Sequence, residues 1–309
     1  MTVDQPILTV GELTIDDVVV EDQSVDWKQP GGGALYSAVG ALLWHGHSAI
    51  CSAVGPDYPQ SALDRLGRHG IDTSSVLRTT ECNSIGLWLL YENSGARHQF
   101  EKSAGGTFER LDGLRPSVRD HRRGAAGVHL APQSSAGHLR ARAECDGLDV
   151  PVSLDLLIES YIDCDPYHDG EVFSGLAAFL PSEQEVVSLW GHADVARLRD
   201  WLRARGFAGH LVVKRGERGV AIAVDGDVVT VPAAPADVLD PTGAGDAFCG
   251  GFLAGLVATG DPILAAQYGV VSSSFVVETR GAFEALDALD DGEACRRLAS
   301  VKKSVRRLV

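Results

Sequence analysis

Asp240-Pro241-Thr242-Gly243-Ala244-Gly245-Asp246-Ala247-Phe248-Cys249-Gly250-Gly251-Phe252 decides how this chain is read. It follows an apolar, proline-punctuated segment at 228–239 and leads into small, apolar residues with a helical pattern. A glycine-rich turn opening a helix leaves several backbone N–H groups unpaired on one side. Together with the positive end of the helix dipole, those groups suit an anion such as phosphate. Asp246 is out of place in such a nest, because like charges repel. A carboxylate there has a use if it takes the proton of a hydroxyl attacking a bound phosphoryl group. An aspartate at a helix start is also a common cap. Capping would account for Asp246 but leaves the flanking Gly243 and Gly245 unexplained.

A second glycine cluster lies far upstream: Gly31-Gly32-Gly33, then an apolar helical pattern, then Ser52-Ala53-Val54-Gly55-Pro56-Asp57. Gly243-Ala244-Gly245-Asp246 resembles the signature of the ribokinase-like (PfkB) carbohydrate kinases. The upstream cluster is similar to that family's diglycine, helix and V-G-x-D strand end. The motifs come in family order, and weaker matches between them span nearly the whole chain. The resemblance implies an α/β class, three-layer α/β/α ribokinase-like fold over 1–309 as a single domain. Its central sheet is mainly parallel, and a small β-sheet lid forms from about 12–30 and 76–102. It further implies an ATP-dependent phosphotransferase that phosphorylates a hydroxymethyl group of a sugar or sugar-like small molecule. ATP and Mg²⁺ are the implied cofactors, with a monovalent cation (K⁺) as a third.

Composition sets bounds on this. A chain of 309 residues can bury a sizeable core. The formal net charge of −15 argues against nucleic acid or an anionic membrane as partner. It also requires local cations, or Mg²⁺, wherever a triphosphate binds. Six cysteines with no C-x-x-C spacing read as free thiols in a reducing compartment. No signal peptide or bilayer-spanning run is visible, so a cytoplasmic enzyme is expected.

Strand-like and helix-like patterns alternate. Strands are expected at 7–10, 15–20, 49–54, 128–130, 152–155, 178–180 and 210–214, with helices at 34–43, 60–69 and 193–205. The alternation predicts a mainly parallel sheet covered on both faces. Segments 84–91 and 97–101 flank Asn93-Ser94-Gly95, a hairpin signal, and the lid segments read as antiparallel. The basic clusters at 115–123 and 302–307 read as a solvated loop and an exposed helix face.

The resemblance carries further roles onto this sequence. Gly243, Ala244 and Gly245 supply N–H groups to the phosphoryl oxygens, with Asp246 as general base. Asp16 holds substrate hydroxyls, with Asp17 as its rival. A carboxylate can accept two such bonds, which suits a vicinal diol. Gly31 and Gly32 let the substrate approach the backbone, or act as a lid hinge. Tyr36 stands where the family usually has Asn, which tells against an ordinary ribose or fructose and offers a face for a nucleoside base. Gln133 and Asp155 are expected in the substrate cavity, and Arg97 at its lid edge. His129 reads as a core histidine. Ser182-Glu183-Gln184-Glu185 is similar to the N-x-x-E motif, with Glu185 acting on Mg²⁺ through water; it reads equally as a capping box. Lys214, Gly216 and Gly219 lie along the nucleotide in the resemblance, with Lys214 a phosphate contact or a surface lysine. Asp240 marks a monovalent-cation site or simply a turn before Pro241. Residues 279–282 are similar to a late segment near that cation site.

Two rivals remain open on sequence alone. One is a nucleoside kinase of the same fold. The other is a non-catalytic sugar- or nucleotide-sensing protein, since fold does not fix function. A homodimer formed through the lid edge is also expected.

Overall fold

The structure, a computed structural model, describes residues 5–21, 24–92, 97–102, 104–121, 124–224, 226–303 and 306–308. In chain order its strands are β1 (Ile7–Val10), β2 (Thr14–Val20), β3 (Ser24–Gly31), β4 (Ser48–Val54), β5 (Ile71–Arg78), β6 (Ile85–Tyr91) and β7 (Arg97–Glu101). They continue as β8 (Gly127–Leu130), β9 (Val152–Leu154), β10 (Ala178–Phe179), β11 (His210–Lys214), β12 (Val220–Val224), β13 (Asp227–Val231) and β14 (Arg306–Leu308).

The large sheet runs β14-β13-β12-β11-β10-β9-β8-β1-β4-β5. From β5 to β11 all neighbours are parallel, and from β11 to β14 they are antiparallel. β1, β4 and β8 are buried along their whole length, as strands covered on both faces must be. The parallel strands end on one edge, where open α/β sheets bind ligands.

The small sheet runs β3-β2-β6-β7. Its outer pairs are antiparallel, but its central pair, β2 and β6, is parallel, contrary to the expected all-antiparallel lid. The chain leaves the lid after β3 to build part of the large sheet, and re-enters at β6 in the same direction as β2. The expected lid segment 76–102 therefore starts too early. Val76, Leu77 and Arg78 pair with β4 in the large sheet. The turn at 93–95 lies outside the described residues. The V-G-x-D stretch grips the re-entry point: Gly55 N–H donates to Ser84 Oγ at 2.9 Å, and Asp57 Oδ1 accepts Ser84 N–H at 2.7 Å.

Both basic clusters differ from expectation. Arg115 is buried, donating to Glu144 at 3.2 Å and to the Pro116 carbonyl at 2.7 Å. The helix Asp291–Lys302 stops within the second cluster, and β14 begins at Arg306. His129 is a core histidine, bonded through Nδ1 to Ser153 Oγ at 2.9 Å.

Two helices from opposite ends of the chain, Gly33–His45 and Ala244–Thr259, pack backbone against backbone. A Cβ on Gly250 would overlap the Ser37 carbonyl oxygen, and one on Gly40 would overlap the Ala247 carbonyl oxygen. Ser37 Oγ also donates to the Asp246 carbonyl at 3.0 Å. Replacing Gly250 by Ala is expected to push the helices apart and lower stability by about 1–3 kcal/mol. Denaturant unfolding checks this; a change within about 0.5 kcal/mol would contradict it.

Candidate active site

The strand ends, the lid and the start of helix Ala244–Thr259 enclose a cavity of about 350 Å³. Glu12, Thr14 and Asp16 line one end, where β1 hands over to β2. Gly243, Gly245 and Asp246 line the other, with Lys214 from β11 and Glu185 from helix Glu183–Trp190. Leu87 and Leu89 of β6 form an apolar wall with Phe108, Leu156 and Leu157. A second hollow of about 260 Å³ continues past Arg97, Glu159 and Glu185.

The helix start is open, as its sequence requires. Gly243 is the N-cap at φ +76°, in the left-handed region. The Tyr36 ring lies so close that a Cβ on Gly243 would overlap it. Among the described residues, no acceptor takes the N–H groups of Gly243 and Gly245. Ala244 departs from expectation, because its N–H is already bonded to the Pro241 carbonyl at 3.2 Å. Asp246 occupies the third position of the helix, facing Gly33. A Cβ on Gly33 would sit 3.0 Å from Asp246 Oδ1 and 2.7 Å from Pro132 Cδ. Burial raises the Asp246 carboxyl above its ordinary value, with Lys214 and Arg97 pulling the other way and Glu185 pushing with it. Burial thus makes this carboxylate more basic while Lys214 and Arg97 favour its charged form.

Lys214 is not a surface lysine. Its Nζ forms an ion pair with Asp155 and lies 3.5 Å from Cys249 Sγ. It also lies 3.4 Å from where a Gly245 Cβ would be. Burial works against the ammonium, but Asp155, Cys249, Glu185 and Asp246 around it outweigh that and hold it protonated. Asp155 therefore spends one oxygen on Lys214, and its Oδ1 accepts Leu156 N–H at 2.9 Å. Glu185 is the third residue of its helix and completes a capping box with Ser182, accepting Ser182 N–H at 2.6 Å through Oε2. The capping reading holds, and the same residue still lines the cavity.

Asp16 is 4% exposed, and its Oδ1 has no hydrogen-bond partner. Burial pushes its carboxyl up to about 7, against the pull of Thr14, Lys102 and Arg97. Its rival Asp17 is engaged elsewhere, paired with Lys102 at 2.7 Å and accepting Lys28 N–H at 2.7 Å. Tyr36 is 4% exposed, and burial with the nearby carboxylates Asp240 and Asp16 keeps its phenol protonated. Tyr91 of the lid and Thr242 of the glycine turn are hydrogen-bonded through their hydroxyls at 2.8 Å.

Five expected residues lie off the cavity wall: Gly31, Gln133, Gly219, Ala244 and Asp240. Gly31 packs on Asp16, where a Cβ would overlap the carboxylate, while Gly32 does line the cavity. Gln133 is fully buried and turns its amide back to the carbonyls of Val10 and Ala131, each at 3.3 Å. Gly219 packs against Val231, whereas Gly216 reaches the cavity at φ +58°. Asp240 accepts Thr242 N–H at 2.9 Å, the turn its sequence reading allowed. Glu12 and Thr14 line the site without having been singled out. Thr14 was legible, since it shares a face of β2 with Asp16 two residues on.

ATP and Mg²⁺ fit the residues present. The open N–H groups, Lys214 and Arg97 could receive phosphate oxygens. Among the described residues no cluster of three or more His, Cys, Asp or Glu could hold a metal alone. A divalent cation would therefore be held by phosphates and water, with Glu185 beside it.

This sheet, lid and open helix start define a small-molecule kinase of ribokinase fold. The pattern of the pfkB family of carbohydrate kinases matches residues 137–289. A nucleoside kinase of Methanocaldococcus jannaschii is 36% identical over 271 residues, 82% of this chain and 81% of that protein. The cytidine kinase of Thermococcus kodakarensis is 27% identical over 253 residues, 81% of this chain and 87% of that one. The Burkholderia thailandensis nucleoside kinase in complex with inosine superposes with a TM-score of 0.76 at 18% identity, covering 95% of this chain and 96% of its own. The chain belongs to the PfkB family, and it is a carbohydrate or nucleoside kinase.

A carboxyl with a raised folded pKa favours the folded state at low pH and loses that advantage as pH rises through the folded value. For Asp16 that window runs from near 3.8 to about 7. Asp16→Asn is therefore expected to be the more stable protein at pH 8. Its lead should widen by roughly 1–3 kcal/mol between pH 5 and pH 8. Urea unfolding at both pH values measures the gap, and a constant gap would refute the burial argument.

Proposed function

We propose that this kinase transfers the γ-phosphoryl group of ATP, with Mg²⁺, to a hydroxymethyl group of a sugar or sugar-like molecule, and that Asp246 is the general base. The observation that carries the reading is the raised Asp246 carboxyl beside the unpaired N–H groups of Gly243 and Gly245. Asp16 would hold the acceptor's hydroxyls and direct its terminal hydroxyl toward Asp246. Asp246 would take that proton as the bond to phosphorus forms. Gly243 and Gly245 N–H, with Lys214, would stabilise the oxygens of the migrating group. Bound Mg²⁺ would supply charge neutralisation on the phosphates. The lid, latched through Tyr91 and Thr242, would keep water from the transfer.

A nucleoside as acceptor is favoured by a specific feature. The wall of Leu87, Leu89, Phe108 and Leu157 is apolar and suits a base better than a free sugar hydroxyl. The relatives named as nucleoside and cytidine kinases support the same reading.

Three further parts belong to this proposal. A monovalent cation would sit near Asp240, tested by comparing turnover in K⁺ and in tetramethylammonium. A cytoplasmic setting is supported by six free cysteines. The acceptor is a small molecule, and a second copy of the chain docks on the lid. Trp27 and Phe100, at 58% and 54% exposure, share a lid face with Trp88, whose ring is 5.6 Å from that of Trp27. Trp27→Glu is expected to give monomers in sedimentation where the wild type is dimeric; a monomeric wild type would remove this part.

The catalytic assignment is tested by ATP turnover across sugars and nucleosides. Asp246→Asn should lower kcat by about 100- to 10,000-fold on the best acceptor with its thermal midpoint retained. Equal turnover by both proteins would show that another group takes the proton.

A further inference from the structure

One face of the helix Gly33–His45 runs along the opening turn of the helix Ala244–Thr259. Gly33, Tyr36, Ser37 and Gly40 share that face, at the three- and four-residue spacing of a helix. Gly33 lies against Asp246, Ser37 Oγ donates to the Asp246 carbonyl at 3.0 Å, and Gly40 lies against the Ala247 carbonyl. Tyr36 is the one bulky side chain of the four. It is buried, and its ring presses on Gly243, where a Cβ would overlap three adjacent ring carbons, Cγ, Cδ1 and Cε1. The ring stands on fixed ground. Tyr36 N–H is bonded to the Gly32 carbonyl at 3.2 Å, and its helix meets the other through backbone at Gly40 and Gly250.

The residue beneath the ring needs holding. Glycine adopts φ of either sign at little cost, so its own backbone does not fix Gly243 at φ +76°. The neighbouring N–H groups are held by hydrogen bonds: Thr242 N–H by Asp240 at 2.9 Å, and Ala244 N–H by the Pro241 carbonyl at 3.2 Å. The Thr242 hydroxyl is bonded to Tyr91 at 2.8 Å. Among the described residues no acceptor holds the Gly243 N–H. The Tyr36 ring closes the space beside the Gly243 Cα and so restricts the turn by contact alone. We propose that Tyr36 is a positioning residue that keeps the Gly243 N–H aimed at the migrating phosphoryl group. The ring does this, and the phenol hydroxyl is not needed for it. This rests on the reading of the glycine turn as the phosphate site and names the side chain that shapes it.

Calorimetry tests this without an acceptor, so that contacts of Tyr36 with the acceptor play no part. The Kd of ADP and of the β,γ-imido analogue of ATP, each with Mg²⁺, is measured for wild type, Tyr36→Leu, Tyr36→Phe and Gly243→Ala. The ratio of the two values reports the grip on the terminal phosphate. Tyr36→Leu is expected to weaken the analogue relative to ADP about tenfold, with the Kd of ADP itself nearly unchanged. Its kcat on the best acceptor should fall about 10- to 100-fold. Tyr36→Phe keeps the ring and should keep the wild-type ratio. Gly243→Ala places a methyl group in the ring and should shift the ratio as Tyr36→Leu does. A ratio unchanged in Tyr36→Leu but shifted in Gly243→Ala would overturn the proposal and leave the phosphate site standing. A Tyr36→Phe protein as impaired as Tyr36→Leu would overturn it too, because the hydroxyl would then be the acting group. An unchanged ratio in both Tyr36→Leu and Gly243→Ala would show that the turn does not receive the terminal phosphate, and the kinase reading of the turn would fail with it. If Tyr36→Leu does not fold, Tyr36→Met, which keeps bulk without a ring, takes its place with the same expected shift.

Discussion

Two stretches of chain more than two hundred residues apart meet without side chains between them, and this contact assembles the site. Gly40 and Gly250 let the helices Gly33–His45 and Ala244–Thr259 touch through their backbones. That approach lays Tyr36 on Gly243 and brings Gly33 beside Asp246. Gly33 and Tyr36 of the first helix thus line the cavity together with Gly245 and Asp246 of the second. A close-packed interior transmits small shifts. An added methyl group at this contact would therefore move the proposed base relative to the hydroxyl it must reach.

The lid depends on the same frame. The chain enters it at β2, leaves it after β3 and re-enters at β6, where Ser84 is fastened by Gly55 and Asp57. Its far end reaches the glycine turn through Tyr91 and Thr242. The glycine turn is thus bonded to the lid.

Much of the fold was legible because its signals are local. Parallel strands buried on both faces read as short apolar runs, and β1, β4, β8 and β11 stand where those runs predict. At the glycine turn the open N–H groups of Gly243 and Gly245 follow from the backbone alone, whereas the Ala244 N–H, expected to be open as well, is bonded to the Pro241 carbonyl. Other features depend on partners distant in sequence. Arg115 looks like a solvated residue until Glu144 and Pro116 surround it. Lys214 looks like a strand-end surface lysine until Asp155, 59 residues away, pairs with it. Gln133 carries an amide suited to a sugar, but the carbonyls of Val10 and Ala131 claim it. The parallel register of β2 and β6 depends on the route between them, which periodicity does not encode. Glu12 carries no local signal, and only the assembled fold shows that it lines the cavity.

The central claim is that Asp246 and the open helix start act on one phosphoryl group together. A crystal structure with ADP, aluminium fluoride and a bound acceptor tests it most directly. The account predicts an acceptor hydroxyl oxygen within about 3 Å of an Asp246 oxygen. It also predicts fluorides or phosphate oxygens at about 3 Å from Gly243 and Gly245 N. An Asp246 carboxylate turned from the acceptor, or a nucleotide whose terminal group lies away from that turn, would contradict it.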